Sequence, residues 1–447
     1  MKKVLIIAYG FPPMSYAGVF RTLKFCKYLP QFDWQPLVLT IKDTPYHHKN
    51  YSLLEQLPTN VTVYRTSTID PARWYSHRAR LKKSKINMYS QKSSEDSVKG
   101  NVIFKSGVSK KIRKFLFNLV SFPDHMIFWI PFAVIAGIKI VRKEKPDVIY
   151  VSSPPHSSHL IGLILSKLFG KPWIADFRDP LVDNEYIVQL SQSKIQMKIN
   201  VWLEAVIIRQ ATCVLLNTTS NRNTMLKRYH SLDQNKLITL TNGFDEDDVK
   251  DIVAEENQKF TITFLGSFYP YFKTDLFLDG LKLWIEKAGA STVLHRFQVL
   301  FIGGKNPEVE SMIHKRNLSD IIHCVGYMPK KEAMRMCLAS HLLLLILGFN
   351  KDSERIVPSK IFDYFLCKKP ILAIAPEGEM EKLIRESKTG YIVTENKPGH
   401  IEKIIDDNYR EFIAGRKVNY SPDWDVIEQY SARFLSKTLA SIFNDAI

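Results

Sequence analysis

The chain has few cysteines, no long apolar run and no complete G-x-G-x-x-G motif. Its five cysteines are scattered over 447 residues without a C-x-x-C pair, which argues against zinc sites and disulfide frameworks. The run Val4 to Ala8 is too short for a secretory signal and predicts a strand. The longest apolar stretch, Met126 to Ile138, has 13 residues against about 20 for a membrane span. We therefore expect a cytoplasmic protein with reduced thiols and no structural metal.

Acidic residues are also scarce, since 45 Asp and Glu face 62 Lys and Arg for a net charge of +17. Much of the excess lies in residues 73–114, where 13 basic residues accompany Glu95 and Asp96. Aromatic residues such as Trp74 and Tyr89 are interspersed there, a mixture that suits an anionic membrane surface. A solvated loop is the alternative. Nucleic-acid binding is disfavoured because no known nucleic-acid module surrounds the charges.

Short β-branched runs followed by helical patterns recur in two series, which predicts an α/β protein with two doubly wound parallel-sheet domains. The first series is Val4 to Ala8, Leu37 to Thr40, Val61 to Tyr64, Val148 to Ser152, Trp173 to Ala175 and Cys213 to Asn217. The second is Thr261 to Leu265, Phe297 to Ile302, Ile321 to Val325, Leu342 to Leu347, Ile371 to Ala375 and Tyr391 to Val393. The predicted organisation is an N-terminal domain 1–242 with a membrane-facing segment 73–141, an acidic linker 243–260, a C-terminal domain 261–420 and a final helix 421–447.

Doubly wound sheets bind ligands at the carboxyl ends of their strands, so the loops there are the candidate sites. The most informative one leads into a helix at Pro358, Ser359 and Lys360, where free backbone N–H groups and a positive charge favour a phosphate. Asp363, one turn on, is a candidate for ribose hydroxyls. Two further loops contribute glycines that allow close backbone approach to a diphosphate, and Lys273 can reach the same place. These glycine loops are Gly266-Ser267 and Gly303-Gly304. A plain amphipathic helix and ordinary turn glycines are the alternatives.

In the N-terminal half, the loop after the first strand runs from Phe11 to Gly18 and leads into a helix near Arg21, where a second ligand is expected. With these loops placed, the chain resembles the family 4 glycosyltransferases of the GT-B fold, in particular a subgroup of bacterial cell-surface polysaccharide enzymes. The resemblance rests on an ordered series of short motifs: Tyr9-Gly-Phe-Pro-Pro, the stretch from Arg21 to Leu29, Phe122-Pro-Asp-His through Trp129, Ser152-Ser-Pro-Pro-His156, Trp173-Ile-Ala-Asp-Phe-Arg-Asp-Pro180, Asn242-Gly-Phe-Asp, Gly266-Ser and Pro358-Ser-Lys-Ile-Phe-Asp.

The resemblance implies that the C-terminal domain holds a nucleotide-activated sugar and the N-terminal domain the acceptor, with the active site in the cleft between them. It places Lys273 and the Gly266 loop at the donor diphosphate, Asp363 at the ribose and the loop Gly326-Tyr327-Met328 at the base. Gly18 would lie near the donor phosphates and the acceptor, for which Arg21 and His159 are also candidates. The chain departs from the family twice: Ser267 stands where an arginine is common, and Arg355 where a glutamate is expected. Either Glu354 substitutes for that glutamate, or Arg355 binds phosphate.

The resemblance also implies retention of anomeric configuration, with the acceptor attacking from the side the phosphate leaves. The protein then needs to stabilise charge on the leaving phosphate and position a hydroxyl. His156 is the histidine favoured to face the sugar, with His159 as its rival and a structural role as the alternative. Asp176, Arg178 and Asp179 are expected to orient sugar or acceptor hydroxyls, unless they form an internal salt bridge. No metal is expected, because the D-x-D sequence Asp245 to Asp247 lies in the acidic linker.

The predicted function is therefore a metal-independent, hexosyltransferase-type retaining glycosyltransferase with no cofactor beyond its nucleotide-sugar substrate. It would extend a lipid-linked or oligosaccharide glycan acceptor in capsule, O-antigen or exopolysaccharide biosynthesis, peripherally bound at the inner face of the cell membrane. A sugar-nucleotide epimerase of the same fold is one alternative. A catalytically degenerate nucleotide-binding or scaffold protein is another, because Ser267 and Arg355 depart from the family pattern.

Overall fold

The computed structural model of the protein describes residues 1–42, 49–69, 123–182, 194–230, 233–289, 295–416 and 420–447. The basic segment 73–114 lies outside these residues. The chain divides into two compact units. The first contains Met1–Asn217, Met225–Leu240 and Ser436–Ile447, and the second contains Thr218–Thr224 and Thr241–Leu435.

The first unit is built on a seven-stranded parallel sheet with the order β3-β2-β1-β4-β5-β6-β7. Its apolar strands are buried because helices cover both faces, as expected for a parallel sheet. All six predicted strands are confirmed, and β7 is an addition whose three residues are too few to show a pattern. The strands are β1 Lys2–Ala8, β2 Trp34–Ile41, β3 Thr62–Thr66, β4 Val148–Ser153, β5 Trp173–Phe177, β6 Cys213–Leu216 and β7 Leu237–Thr239.

The described helices of this unit follow from the chain's path across the sheet. Crossovers between parallel strands are right-handed, so helices that connect strands in one direction share a face. Those leading to β4, β5 and β6 lie together on one face, and the helix leading from β1 to β2 lies on the other. In chain order the helices are α1 Ala17–Tyr28, α2 Ser52–Glu55, α3 Ile130–Glu144, α4 Ser158–Phe169, α5 Lys194–Gln210 and α6 Thr219–Arg228, the last of which begins in the second unit.

The second unit contains a six-stranded parallel sheet with the order β10-β9-β8-β11-β12-β13. Both predicted series of strands thus form the two predicted doubly wound sheets. The strands are β8 Phe260–Leu265, β9 Phe297–Ile302, β10 Ile322–Gly326, β11 Leu342–Ile346, β12 Ile371–Ile374 and β13 Gly390–Val393. The helices are α7 Thr274–Ala288, α8 Pro307–Lys315, α9 Lys330–Leu338, α10 Lys360–Cys367, α11 Glu379–Ser387, α12 Pro398–Ile413, α13 Trp424–Glu428 and α14 Ala432–Ala446.

The final turns of α14 belong to the first unit, where Phe443 packs against Trp34 and Tyr150 with ring centroids 5.1 and 5.9 Å apart. These contacts lie on the same face as α1, because Phe25 of α1 also meets the ring of Tyr150. The end of the chain therefore completes the hydrophobic layer beneath the first sheet.

Each sheet has one place where the chain's direction of travel reverses, and that is where doubly wound folds bind ligands. In the first sheet it lies between β1 and β4, and in the second between β8 and β11. The loops after these four strands include the predicted segments around Gly18, His156, Gly266 and Lys360. The topology therefore gathers the predicted loops of each unit at one edge of its sheet.

The apolar stretch expected to be too short for a membrane span extends further than the sequence indicated. A 3₁₀ turn, His125–Trp129, runs directly into α3, and together they form a 20-residue helix that contains an 18-residue stretch with a mean hydropathy of 1.5. Within the described part of the chain it is the one helix long and apolar enough to cross a membrane by length and composition. Soluble core helices pass the same test, and here α3 packs against β2, β3 and α4.

Candidate functional site

Two glycine loops of the second unit pack against each other so closely that a side chain on Gly303 would clash with the other loop. Gly266 and Gly303 follow β8 and β9 with φ of 122° and 150°, conformations that favour glycine. A Cβ atom on Gly303 would lie 2.1 Å from the carbonyl oxygen of Gly266. The amide of Gly266 donates to Ile302 O at 2.7 Å, so the two loops are also joined by a hydrogen bond. Gly303, which the sequence singled out, is thus required by close packing of backbone on backbone.

The ammonium of Lys360 lies directly against these loops. Its Nζ would be 3.1 Å from a Cβ on Gly266, and it lies 4.0 Å from the ring centroid of Phe264. The Nζ atom is buried and has no hydrogen-bond partner among the described residues. Burial lowers the pKa of Lys360 from 10.5 to about 7. A buried cation without a counter-charge is costly, and an anion placed there would remove the cost.

Lys360 is also the first residue of α10, so the amides of the first helical turn begin beside its ammonium. Pro358 and Ser359 form the entry to the helix, and their carbonyls accept from Ile361 and Phe362. Ser359 is the N-cap residue but its side chain makes no capping hydrogen bond. The predicted loop, helix and strand order is confirmed, with β12 following the helix.

Asp363 is already paired in the structure, with a residue that the sequence analysis missed. Lys330 Nζ lies 3.1 Å from Asp363 Oδ1 and 2.7 Å from Asp248 Oδ2. Burial lowers the pKa of Lys330, but the two carboxylates outweigh it and hold the pKa above its usual value. Lys330 could have been predicted from the sequence. It is the first residue of α9, which begins shortly after β10 ends, and Lys360 was selected because it also begins a helix.

The stretch predicted as a solvated acidic linker is partly structural. Asp245 is buried and its side chain accepts from the amide of Asp247 at 3.1 Å, which caps a 3₁₀ turn, Glu246–Asp248. Asp248 reaches Lys330 as described above. The neighbouring Phe244 is buried in the second unit's core and bonds through its backbone to Tyr430. These acidic side chains therefore hold the start of the second unit together.

The remaining predicted donor residues occupy varied positions. Lys273 precedes α7, and its amide donates to Leu347 O at 3.1 Å, which places it at the end of β11. Ser267 and Tyr327 are exposed, whereas Met328 packs against the apolar cluster of Leu300, Ile302 and Ala333. Gly304 follows Gly303, and a Cβ on it would lie 3.9 Å from the Ser267 hydroxyl.

Glu354 and Arg355 lie together in a 3₁₀ turn, Ser353–Arg355, just before the approach to α10. The Arg355 guanidinium pairs with Asp352, and Glu354 is exposed. The backbone carbonyl of Glu354 lies so close to Gly378 that a Cβ there would be 2.2 Å away. The turn is thus held against the segment after β12, with the Glu354 side chain free to reach outward.

In the first unit, Asp176 and Arg21 pair with each other. The Arg21 guanidinium binds the Asp176 carboxylate through two hydrogen bonds of 2.9 Å, and both side chains are buried. Tyr150 Oη and Ser152 Oγ donate to the same carboxylate at 2.5 and 3.2 Å. The predictions for these two residues are therefore corrected to an internal ion pair that fastens α1 to the sheet. The alternative of an internal salt bridge was right, although Asp176 bonds to Arg21 rather than to its neighbours.

Arg178 shapes the loop after β4. Its Nε and Nη2 donate to the carbonyls of Ser153 and Pro154, each at 3.0 Å. A Cβ on Gly18 would lie 2.6 Å from Arg178 Nη1, so only glycine leaves room for the guanidinium at the start of α1. Asp179, the next residue, is exposed at the same edge of the sheet. Arg178 and Gly18 therefore belong to one loop cluster, and the contact of Asp179 with a ligand stays a prediction.

The two histidines differ in what they can do. His159 is fully buried, its ring centroid lies 4.5 Å from that of Phe177, and its Nε2 bonds to Ser153 Oγ at 2.9 Å. It is a core residue, which corrects its predicted contact with the acceptor. His156 is also buried, but neither ring nitrogen has a partner among the residues described. Burial lowers the pKa of each histidine to about 3, so both are neutral at physiological pH.

Asp124, within the Phe122-Pro-Asp-His motif, is a further residue whose role the sequence did not indicate. Its carboxylate caps the 3₁₀ turn before α3 and accepts from the amide and hydroxyl of Ser157 at 2.8 and 2.6 Å. Burial raises the pKa of Asp124, and these hydrogen bonds oppose the rise. The residue ties the entry of α3 to the loop that carries His156. No group of three or more His, Cys, Asp or Glu suited to a metal occurs within the described residues.

Comparison with known proteins agrees with this geometry. Residues 245–411 match the family described as Glycosyl transferases group 1. A search of curated proteins by sequence finds no match.

Three solved structures illustrate the likeness of fold. HepE (Alr3699) from Anabaena, in complex with UDP and glucose, is 13% identical over 99% of this chain and 100% of its own, with a TM-score of 0.60. Sucrose-phosphate synthase from Thermosynechococcus elongatus is 12% identical over 100% and 99%, with a TM-score of 0.60. A mutant of S. aureus TarM, in complex with fondaparinux, α-GlcNAc-glycerol and UDP, is 12% identical over 99% and 100%, with a TM-score of 0.54. Residues 245–411 thus match the group 1 glycosyltransferases, and the chain as a whole has the GT-B fold of these structures.

Proposed function

We propose that the protein transfers a sugar, with retention of configuration, from a nucleoside diphosphate sugar to a glycan acceptor. The observation that carries the proposal is the buried, unpartnered Lys360 ammonium against the Gly266 and Gly303 backbone. A diphosphate there would meet the Lys360 charge and the positive end of the α10 helix dipole, and both interactions strengthen as negative charge develops on the leaving group.

Asp363 suits the ribose in this arrangement. One of its oxygens is held by Lys330, which fixes the carboxylate in place and leaves the other oxygen to accept from ribose hydroxyls. Lys273 and either Glu354 or Arg355 are assigned to the remaining donor contacts because they lie at the ends of β11 and its following loop. UDP is the first nucleotide to test, because HepE and TarM were solved with it.

The first unit is proposed to hold the acceptor. His156 carries two unsatisfied ring nitrogens, and Asp179 an exposed carboxylate, so these two side chains are the candidates for sugar or acceptor hydroxyls. The neutral His156 can donate or accept one hydrogen bond at each nitrogen. We assign the acceptor to a lipid-linked or oligosaccharide glycan of a cell-surface polysaccharide, and the protein to the inner membrane surface, on the sequence resemblance and the basic charge.

The test is release of nucleoside diphosphate from a panel of nucleotide sugars with lipid-extract acceptors. Asp363→Ala and Lys273→Ala should each reduce turnover at least about tenfold, because each removes a charged contact to the donor. Lys282→Ala, an exposed lysine on the same helix that follows Lys273, is the control and should turn over normally. Normal turnover in both site variants would refute the assignment of the donor site.

Further readouts separate the alternatives. Product that forms without any acceptor indicates an epimerase, and nucleotide binding without turnover in any extract indicates a scaffold. Nuclear magnetic resonance of the product reports the anomeric configuration, where inversion would contradict the mechanism. Turnover that is unchanged by a chelator is expected, since Lys360 and backbone amides supply the charge stabilisation.

A further inference from the structure

The outer faces of α3, α4 and α5 share an unusual composition. These three helices lie side by side on one face of the first sheet: α3 packs on α4, and α4 on α5. The approach of the first two is close, because a Cβ on Gly137 would lie 2.5 Å from Leu165 Cδ1. Their inner sides, which include Ala133, Ile161 and Ile207, are fully buried in the core. The three helices therefore present one continuous outer surface.

Large apolar side chains are exposed along that surface. Ile135 is 59% exposed on α3, Leu168 is 59% exposed on α4, and Ile195 and Trp202 are 66% and 64% exposed on α5. Helices that face water normally turn polar residues outward, so apolar side chains on both faces are a departure that marks an interaction surface.

The charges between these side chains are of one sign. Exposed basic residues alternate with the apolar ones and include Lys139, Arg142, Lys143, Lys167 and Lys198. The two acidic residues of the three helices are already paired: Glu144 with Lys3 and Tyr64 at 3.0 Å and with Lys143 at 3.5 Å, and the fully buried Glu204 with Arg228 and Tyr229. A surface that is apolar and basic, with no exposed acid among its described side chains, complements a partner that is apolar and anionic.

We propose that the outer faces of α3, α4 and α5 form a docking surface that lies flat on a membrane rich in anionic phospholipid. Such surfaces place Trp and aliphatic side chains among the acyl chains and Lys and Arg among the headgroups. None of its residues belongs to the basic segment 73–114 or to the proposed donor site.

The proposal also assigns a role to the 20-residue apolar helix. Crossing a membrane would require α3 to leave β2, β3 and α4, because Ala133, Ile140 and Val141 face the core. Lying along the interface uses the apolar outer face and keeps those contacts. The helix is therefore highly apolar because it packs on the core with one side and faces lipid with the other. Most of its charged residues lie near its C-terminal end.

The test is flotation of the full-length protein, without nucleotide sugar, with vesicles of phosphatidylcholine alone or mixed with phosphatidylglycerol. Wild type should bind the mixed vesicles and dissociate as salt rises. The triple variant Ile135→Ser, Leu168→Ser, Trp202→Ser should bind about tenfold more weakly, because binding scales with buried apolar area. The matched control replaces three exposed apolar residues elsewhere by serine: Val253→Ser, Ile413→Ser and Ile447→Ser. This control should bind like wild type.

Two further measurements sharpen the result. Brominated acyl chains should quench part of the tryptophan fluorescence of wild type, and that part should disappear in Trp202→Phe. Lys139→Gln with Lys167→Gln and Lys198→Gln should remove the preference for phosphatidylglycerol. The proposal is overturned if the wild-type protein does not bind the mixed vesicles, or if the serine triple variant binds them as well as its control does. It is also overturned if the serine changes only dissociate a dimer of the protein. Because no donor is present, these outcomes are independent of the glycosyltransfer assay.

Discussion

Replacing Lys360 by methionine should stabilise the free protein and weaken its binding of nucleoside diphosphate. Methionine keeps the apolar stem beside Phe264 and removes only the buried charge. The pKa of Lys360 is lowered from 10.5 to about 7 by burial, a difference worth about 5 kcal/mol at 1.36 kcal/mol per pKa unit. The cation–π contact with Phe264 offsets about 0.5–2 kcal/mol of that cost. We therefore expect a gain in unfolding free energy of about 3 kcal/mol at pH 6.

The pH dependence follows from the direction of the shift. Below pH 7 the lysine is charged in both states, and the full cost of burying it is present. Between pH 7 and 10.5 the unfolded chain keeps the proton while the folded protein releases it, so wild-type stability rises with pH. Above 10.5 the cost is gone. The difference between Lys360→Met and wild type should therefore be largest near pH 6 and shrink steadily towards pH 10.

Urea unfolding followed by circular dichroism at pH 6, 8 and 10 measures this difference. Lys282→Met, an exposed lysine of the same unit, is the control and should change stability by less than about 0.5 kcal/mol. Calorimetric titration with UDP near pH 8 should show proton uptake by wild type, since a bound diphosphate raises the pKa of Lys360, and no such uptake by the variant. Equal or lower stability of Lys360→Met at pH 6 would refute the reasoning, because it would mean that the ammonium is already satisfied.

Two further predictions concern the first unit. Asp176→Asn should lower the unfolding free energy by about 3–5 kcal/mol in urea titrations, because it leaves the buried Arg21 guanidinium without its counter-charge; a loss below about 1 kcal/mol would contradict the buried ion pair. His156 and His159 have folded-state pKa values of about 3, below the 6.5 of the unfolded chain, so stability should fall as pH drops below 6.5, by about 2 kcal/mol per histidine at pH 5. His159→Phe should remove half of that slope in thermal melts between pH 7 and 5, and an unchanged slope would show that His159 is charged when folded.

Much of the fold was predictable because its signals are local. Runs such as Val4 to Ala8 and Leu342 to Leu347 are apolar over their whole length, which indicates strands covered on both faces. The loops at Gly266, Gly303 and Lys360 could be located because doubly wound sheets place ligands at strand ends. The apolar run from Met126 to Ile138 underestimates the length of its helix. The helix continues through charged residues to Glu144, and these residues are not part of an apolar run.

Side-chain partners were harder to predict, since they come from distant parts of the chain. Asp176 lies next to Arg178 and Asp179 in sequence, yet its partner is Arg21 on α1, because a strand residue that points beneath the sheet meets the helix on that face. Lys330 and Asp363 are likewise brought together only when α9 and α10 pack. His156 and His159 both stack on Phe177, and only the hydrogen bond from the His159 ring to Ser153 Oγ, which the fold brings close, distinguishes the second.

The sequence by itself therefore determined the two parallel sheets, the order of their loops and the glycines and lysine of the proposed donor site, because periodicity, turn residues and helix starts are properties of neighbouring residues. Tertiary structure alone decided which charges are buried, which are paired and which remain free for a ligand. It also decided that three helices align their apolar and basic outer faces. Burial and pairing depend on residues far apart in the chain, which only the folded backbone brings within a few ångströms.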